Sequence, residues 1–275
     1  MVSLTLILRA VQMSRSTYYY STKSNQNQKL ENPIKKAITK IKQCHPNYGY
    51  RRVTLALKNL GHQINHKRVL RLMNELGLLS TAFTKKKRRY NSYKGHVGKT
   101  CKNKLNRRFL TDRPYQKLVT DTTELRYGSK SMSERLYLNP VLDLFSGEVL
   151  SYKLSEHPDL NSVLSPVDQA FKRLPKLNYR TTIHTDQGCH YQHRKFISLV
   201  KKNHVIKSMS RKATCLDNAV MESFFHILKA EMNQSYKNKS ELTQAVKAWI
   251  NYYNNDRIKE KLGGLSPIQY RKQTA

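Results

Sequence analysis

The chain has 275 residues, with 51 Lys and Arg against 18 Asp and Glu, a formal net charge of +33. At 38% hydrophobic residues it can bury a core, unlike a disordered polycation, and its length suggests two domains. Charge on this scale concerns partners rather than fold: the phosphate backbone of nucleic acid is the main acceptor, a membrane surface the weaker one. No stretch of 18 apolar residues exists. The opening LTLILRAV is too short for a span and lacks both a basic n-region and a cleavage site, so the expectation is a cytoplasmic protein with no membrane contact. Cys44, Cys101, Cys189 and Cys215 are widely separated with no C-x-x-C pair, against a disulfide framework or a cysteine zinc knuckle.

In chain order, LTLILRAVQMSRSTYYYS reads as a helix and then a short second helix capped by Ser14, a partial helix-turn-helix over residues 1–30. Residues 33–45 place Ile34, Ala37, Ile38 and Ile41 on one stripe, with Pro33 at the first helical position. GYRRVTLALKNLG aligns Tyr50, Val53, Leu57 and Leu60 and stops at Gly61. A third helix begins after Asn65, with Val69, Leu72, Met73 and Leu76 inward and Gly77 as its end. These predict a helix-turn-helix bundle over 31–79. Its third helix carries His66, Lys67, Arg68 and Arg71 away from the apolar stripe, where a recognition helix meets bases and phosphates. An ordinary bundle with a solvated basic face has the same pattern. Residues 80–112 hold eleven Lys and Arg, among them Lys85, Lys86, Lys87, Arg88 and Arg89, and no apolar periodicity, so they read as a basic linker that orders on a polyanion. Residues 1–112 carry a net +22 and 113–275 a net +11. GHVGKT is excluded as a phosphate loop, because Tyr93 stands where the first glycine is required.

Beyond Arg113 the pattern becomes α/β. LVTDTTELRY, RLYLNPVLDLF and EVLSYKL read as three antiparallel strands, the last two joined by a two-residue turn at Ser146-Gly147. A helix, a strand ending TTIHTDQG, a second helix and a short strand VIKSMS follow. The order βββαβαβ, then helices, is that of a ribonuclease-H-like mixed sheet over residues 113–235, with a helical extension over 236–275. Asp121 lies along the first strand, Asp186 at the end of the fourth, and Glu222 on a helix opened by Asp217-Asn218, with 35 residues between Asp186 and Glu222. That helix face continues through Phe225, His226 and Lys229. A helix returning across the sheet brings Glu222 to the aspartates, and three converging carboxylates repel one another unless a cation neutralises them. The expectation is a site for Mg²⁺ or Mn²⁺, with two ions able to serve an in-line displacement at phosphorus.

The same residues carry a family resemblance. YGYRRVTLALKNLGHQINHKRVLRLMNELGL, TDTTEL, VLDLFSGEVLSYKLS, HTDQGCHY, SMSRKATCLDNAVMESFFHILKAE and YYNNDRIKEKLGGLSPIQYR resemble, over almost the whole chain, the catalytic (OrfB-type) subunit of insertion-sequence transposases of the IS-three family, which share the DDE core of retroviral integrases. The resemblance implies a metal-binding triad of Asp121, Asp186 and Glu222, with Lys229 as the basic residue seven places on. It implies a DDE transposase that cuts DNA at element ends and transfers the strand, acting as a homo-oligomer on terminal inverted repeats and target DNA at the nucleoid, with an upstream-frame (OrfA) polypeptide as a further partner. Departures are Leu118 for the family's tryptophan, Ala213-Thr214 where a glycine is usual, and Pro140 inside the second strand, where it costs a ladder hydrogen bond.

Other readings share these residues. His184, Cys189, His190 and His193 surround Asp186 and resemble a zinc set, but no ligand pair has zinc-finger or H-E-x-x-H spacing. His184 is then a polar neighbour of Asp186. Glu222 with His226 forms an E-x-x-x-H pair that serves a metal, or leaves the histidine to DNA. Asp143 and Glu124 read as structural acids, and Leu242, Ala245, Val246, Trp249 and Tyr253 as core. The functional alternatives are a catalytically silent DNA-binding repressor and a structure-specific nuclease of the same fold.

Overall fold

Ser14 and Asn65 each open a helix in the computed structural model: Ser14 Oγ accepts the Thr17 N–H at 3.1 Å, and Asn65 Oδ1 accepts the Lys67 N–H at 2.9 Å. Residues 3–82, 101–129, 131, 133–211, 214–232 and 235–274 are described, without the side chains of 20–30 and 215. They fall into two units, Met1–Thr81 and Ala82–Ala275.

The first unit holds α1 (Leu4–Ala10), α2 (Arg15–Cys44), α3 (Tyr50–Asn59) and α4 (His66–Glu75). The short helix expected after Ser14 and the helix expected over 33–45 are one 30-residue element, with Pro33 inside it. Proline withdraws one N–H from the ladder there without ending the helix. Helices α2, α3 and α4 contact one another, and Ile38 and Ile41 of α2, Tyr48, Val53 and Leu57, and Val69, Leu72 and Met73 of α4 are all buried. Gly61 (φ 88°) and Gly77 (φ 66°) supply the left-handed turns that end α3 and α4. Leu60, expected inward, is the residue capping α3 and is exposed.

The second unit is a six-stranded mixed sheet, the ribonuclease-H-like arrangement. The strands are β1 (Lys117–Thr120), β2 (Thr123–Arg126), β3 (Arg135–Asp143), β4 (Val149–Ser155), β5 (Thr182–Thr185) and β6 (Ile206–Met209), with α5 (Leu160–Lys172) between β4 and β5, and α6 (Cys189–Gln192) and α7 (Arg194–Lys202) between β5 and β6. A 3₁₀ turn (Cys215–Asn218), α8 (Ala219–Glu231), α9 (Lys239–Asn255), a second 3₁₀ turn (Glu260–Leu262) and α10 (Pro267–Thr274) follow. β4 pairs with one edge of β3; β1 and β2 pair with its other edge; β5 then β6 extend the sheet in parallel from β1. One face buries Val119, Leu138 and Leu142 under α8 and α9, and the other buries Leu118, Val141 and Ile183 under α5 and α7.

The expected first strand is broken. β1 and β2 share one register on β3, from Leu118↔Asp143 to Thr123↔Leu138, which leaves Asp121 and Thr122 opposite Pro140 and Asn139. Leu144 N–H bonds to Lys117 C=O, so alternation points residues 142 and 140 of β3 at this same edge. Position 140 is where a donor would meet Asp121, and proline has none. The turn after β3 also differs: Asp143 N–H bonds to Glu148 C=O and Gly147 N–H to Asp143 C=O, closing residues 144–147 instead of two. The Asp143 carboxylate, which accepts the N–H of Tyr115 (3.1 Å) and of Phe145 (3.3 Å), organises that longer loop.

Candidate active site

The interruption frees Asp121 from the ladder. Its Oδ1 accepts the Thr122 N–H at 2.7 Å and its Oδ2 accepts Nδ2 of Asn218 at 2.7 Å. Asp186 follows the end of β5, the parallel neighbour of β1, and its Oδ1 accepts the Gly188 N–H at 3.0 Å. Burial, then the Asp186 charge, pushes the Asp121 carboxyl up to about 7 against those two hydrogen bonds, and Glu222 adds a smaller push. Asp186 is also raised, by burial, with the Gly188 N–H and His190 opposing. Glu222 stands exposed in the first turn of α8, and Lys229 lies exposed two turns further on. The two aspartates are thus neighbours, with Glu222 in electrostatic range. Among the described residues no three His, Cys, Asp or Glu sit close enough together to enclose an ion.

The start of α8 is held by a polar network that its sequence did not announce. Asp217 and Asn218, expected to open the helix, do not cap it: Asn218 makes no cap hydrogen bond and turns to Asp121 instead. The Asp217 carboxylate, fully buried, accepts from Arg211, Arg107 and Asn103, and the Arg211 guanidinium foremost holds it far below the usual carboxylate range. Beneath it, Ser208 Oγ accepts two N–H groups, from Lys104 (2.9 Å) and Leu105 (3.1 Å). Its hydroxyl proton therefore points to Nδ1 of His184 (2.9 Å), which leaves Nε2 of His184 to donate to Asp217 C=O (3.0 Å). His184 is a neutral imidazole with both nitrogens engaged, and burial lowers its pKa accordingly. It positions the backbone that presents Asn218 to Asp121.

Whether these residues suit a divalent cation is answered by unpartnered atoms. Five buried side-chain N and O atoms lack a hydrogen-bond partner among the described residues, and four belong to Thr120, Asn139, Tyr191 and Asn218, around Asp121. Asn218 donates to Asp121 with its nitrogen, so its orphaned Oδ1 is an acceptor beside two carboxylates driven toward protonation. Hard oxygens in a site short of positive charge fit Mg²⁺ or Mn²⁺. The alternative zinc set fits less well. His193 Nδ1 accepts the Lys195 N–H at 3.1 Å in capping α7, and Cys189 Sγ is 3.9 Å from His190 Nδ1.

In the first unit, His66 and Lys67 are exposed at the start of α4. Arg68 and Arg71 are held by acids: Arg68 Nε lies 3.2 Å from Glu31 Oε1, Arg71 Nη2 also reaches Glu31, and Arg71 Nη1 is 2.5 Å from Glu75. Lys85, Lys86, Lys87, Arg88 and Arg89 lie outside the described residues, which resume at 101. Asp143 is buried at the β3 turn, and Glu124 pairs with Arg126 and Arg135 away from the aspartates. Sequence reasoning overlooked the roles of Asn218, Asp217, Tyr191 and Asn139: Asn218 bonds to Asp121 97 residues away and Asp217 to Arg107 110 residues away, although Arg211 lies only six residues from Asp217. The one local signal was the pair Asp217-Asn218, which carries the same letters as a helix cap.

An HTH-like domain family matches residues 29–88, and an integrase core domain family matches residues 111–215 and again 222–275. Over 273 residues the chain is 47% identical to transposase InsK of insertion sequence element IS150 from Escherichia coli K12, covering 98% of this chain and 93% of that protein. It is 39% identical over 214 residues to a transposase-like protein of Haemophilus influenzae, covering 77% of this chain and 95% of that one. Among solved structures, the HTLV-2 integrase catalytic core in complex with magnesium aligns with a TM-score of 0.41 at 19% identity, over 57% of this chain and 96% of that one. The family matches and the full-length relative together define a transposase with an integrase-type core. The chain belongs to the insertion-sequence transposases of the IS3 family, the group that includes IS150.

Proposed function

We propose that this chain cuts one DNA strand at each end of its element and joins the freed end to target DNA, in a divalent-metal-dependent reaction at Asp121, Asp186 and Glu222. One observation carries the reading. Two parallel neighbouring strands end in aspartates close enough that the Asp186 charge raises the proton affinity of Asp121, beside an unpartnered buried oxygen of Asn218. Mg²⁺ or Mn²⁺ held by Asp121, Asp186 and Glu222, as one ion or two, supplies charge neutralisation at phosphorus and activation of the attacking oxygen. Asn218 orients Asp121 and His184 orients Asn218, so the first carboxylate is aimed before substrate arrives. Glu222, in electrostatic range of Asp121, would supply the third ligand from α8, and Lys229 on the same helix would meet the DNA backbone. In the first step a water oxygen bonds to phosphorus and the P–O3′ bond breaks, leaving a 3′-hydroxyl on the element. In the second, that hydroxyl attacks a target phosphodiester and displaces the target's 3′ oxygen. No covalent enzyme intermediate is needed.

Recognition of the terminal repeats is assigned to the first unit through His66, Lys67, Arg68 and Arg71, with the basic residues Lys85–Lys87 and Arg88–Arg89 on the phosphates. The working form is a homo-oligomer on DNA, completed by the upstream-frame polypeptide. The test is release of a 3′-hydroxyl from an end-labelled duplex of the element terminus, supplying that polypeptide where the chain alone is silent. Asp121→Ala, Asp186→Ala and Glu222→Ala should each abolish nicking and joining while leaving end binding intact, and the three losses should not add, because groups in one assembly act as a unit. Ca²⁺ should support binding without turnover. Absence of metal-dependent nicking in the wild type, or nicking by Glu222→Ala, hands the assignment to the repressor or to another nuclease.

A further inference from the structure

The network around Asp217 has more cation than the fold requires. Its carboxylate has no exposed side-chain surface, yet it takes two guanidiniums: Nε (2.8 Å) and Nη2 (2.9 Å) of Arg211, and Nε of Arg107 (2.9 Å), together with the Arg211 N–H (3.1 Å) and Asn103 Nδ2 (2.8 Å). One arginine neutralises one carboxylate; the triplet keeps a net positive charge. Both arginines are about half exposed, at 46% and 52% of their side-chain surface. Arg211 engages Nε and Nη2, and Arg107 engages only Nε, so three guanidinium nitrogens point elsewhere.

The backbone is strained to arrange this. Asn106 (φ 44°) and Arg107 (φ 59°) are consecutive non-glycine residues in the left-handed region, a conformation that persists only where its surroundings over-determine it, and Asn103 Oδ1 ties the turn through the Asn106 N–H at 2.7 Å. Leu105 anchors the segment in the core below α8. The placement also matters. Asp217 precedes Asn218, whose side chain touches Asp121, so the guanidiniums stand at the rim of a site whose own side chains are acidic. A polyanion approaching Asp121, Asp186 and Glu222 is repelled, and fixed cations at the rim offset that repulsion.

We propose that Arg107 and Arg211 form a clamp for a backbone phosphodiester of DNA beside the one being cut, with buried Asp217 as the positioning residue that holds both forks in place. Bidentate guanidinium recognition suits a phosphate, and half-exposed arginines already anchored on a carboxylate reach it at little further entropy loss. The clamp rests on the reading of this site as one that cuts DNA, and the test separates the two.

Removing both arginines alone strands a buried carboxylate, so the informative protein is the full chain with Arg107→Gln, Asp217→Asn and Arg211→Gln together, which leaves no buried charge; a melting curve confirms that it folds. Affinity for an element-end duplex is measured across salt concentrations without divalent metal. The clamp predicts a log–log slope shallower than wild type by about one phosphate contact, about 0.9. An unchanged slope overturns it. In the nicking assay, neutral methylphosphonate linkages are scanned on either side of the cut. The clamp predicts one position where the neutral linkage slows the wild type about tenfold and has no further effect on the triple variant; equal slowing of both proteins at every position overturns it. The slope needs no chemistry, so a shallower slope with no nicking by the wild type retires the cutting reading alone.

Discussion

Tyr191 illustrates how much rests on single polar atoms. Its hydroxyl is buried beneath the two aspartates and near Thr120 and Thr122, yet closes no hydrogen bond of ordinary geometry. A buried hydroxyl without a partner costs about 1–3 kcal/mol. Tyr191→Phe should therefore unfold at equal or higher denaturant concentration than wild type, and a loss of more than about 1 kcal/mol would show the hydroxyl to be bonded after all. Asp143 offers a pH test far from the aspartates. Burial pushes its carboxyl up to about 6 despite the N–H groups of Phe145, Ser146 and Tyr115. A carboxyl raised in the folded state gives stability that is complete below its unfolded value near 4 and fades as pH climbs through about 6, a swing of about 2–3 kcal/mol. Asp143→Asn keeps an acceptor for the same amides and removes the titration. Denaturant melts at pH 4.5 and 7.5 should show wild type losing stability relative to the variant; identical pH profiles would reject the assignment.

At the scale of elements, Pro140 gains a meaning its sequence position did not suggest. Read as a residue, it weakens a central strand; in the sheet it withholds the donor opposite Asp121 and so ends β1 where the carboxylate must turn into the site. Pro140→Val should restore the ladder, raise stability by about 0.5–1.5 kcal/mol and lower nicking at least tenfold. A stabilised variant that nicks normally would disconnect the break from the chemistry. This also marks what the sequence made legible. Helix starts at Ser14 and Asn65, glycine stops and the strand order are local signals with local causes, so they were readable. The split of the first strand opposite Pro140 and the diversion of Asn218 from capping to Asp121 depend on partners far along the chain, and no window of ten residues contains them. The acids were visible as a spacing, whereas the mutual approach of Asp121 and Asp186 is a property of the parallel pairing of β1 with β5.

Over the whole molecule, positive charge is carried by both units, and the candidate carboxylates by one. The first unit, residues 1–81, has a net charge of +12, and residues 82–275 hold the carboxylates together with +21. Binding of duplex DNA by the full chain should weaken steeply with salt, by about 0.9 log unit per decade for each phosphate neutralised, and a slope near zero would remove the electrostatic account. Since α8 presents Glu222, its far end matters as much as its start. There Glu231 accepts Arg257 Nη2 at 2.7 Å and Trp249 Nε1 at 3.2 Å, a pair almost wholly excluded from solvent, while Phe224 packs on Trp249 and Tyr253. In the life of a mobile element, this places a hidden weakness in the last fifth of the gene. A stop codon just after Glu231 leaves all three acids encoded and every motif around them intact, but it deletes Arg257 and Trp249, bares the apolar side of α8 and takes the Arg257 guanidinium from a buried carboxylate. Such a copy would keep the three candidate acids and be inert, and it would mark its own age by where its frame closed.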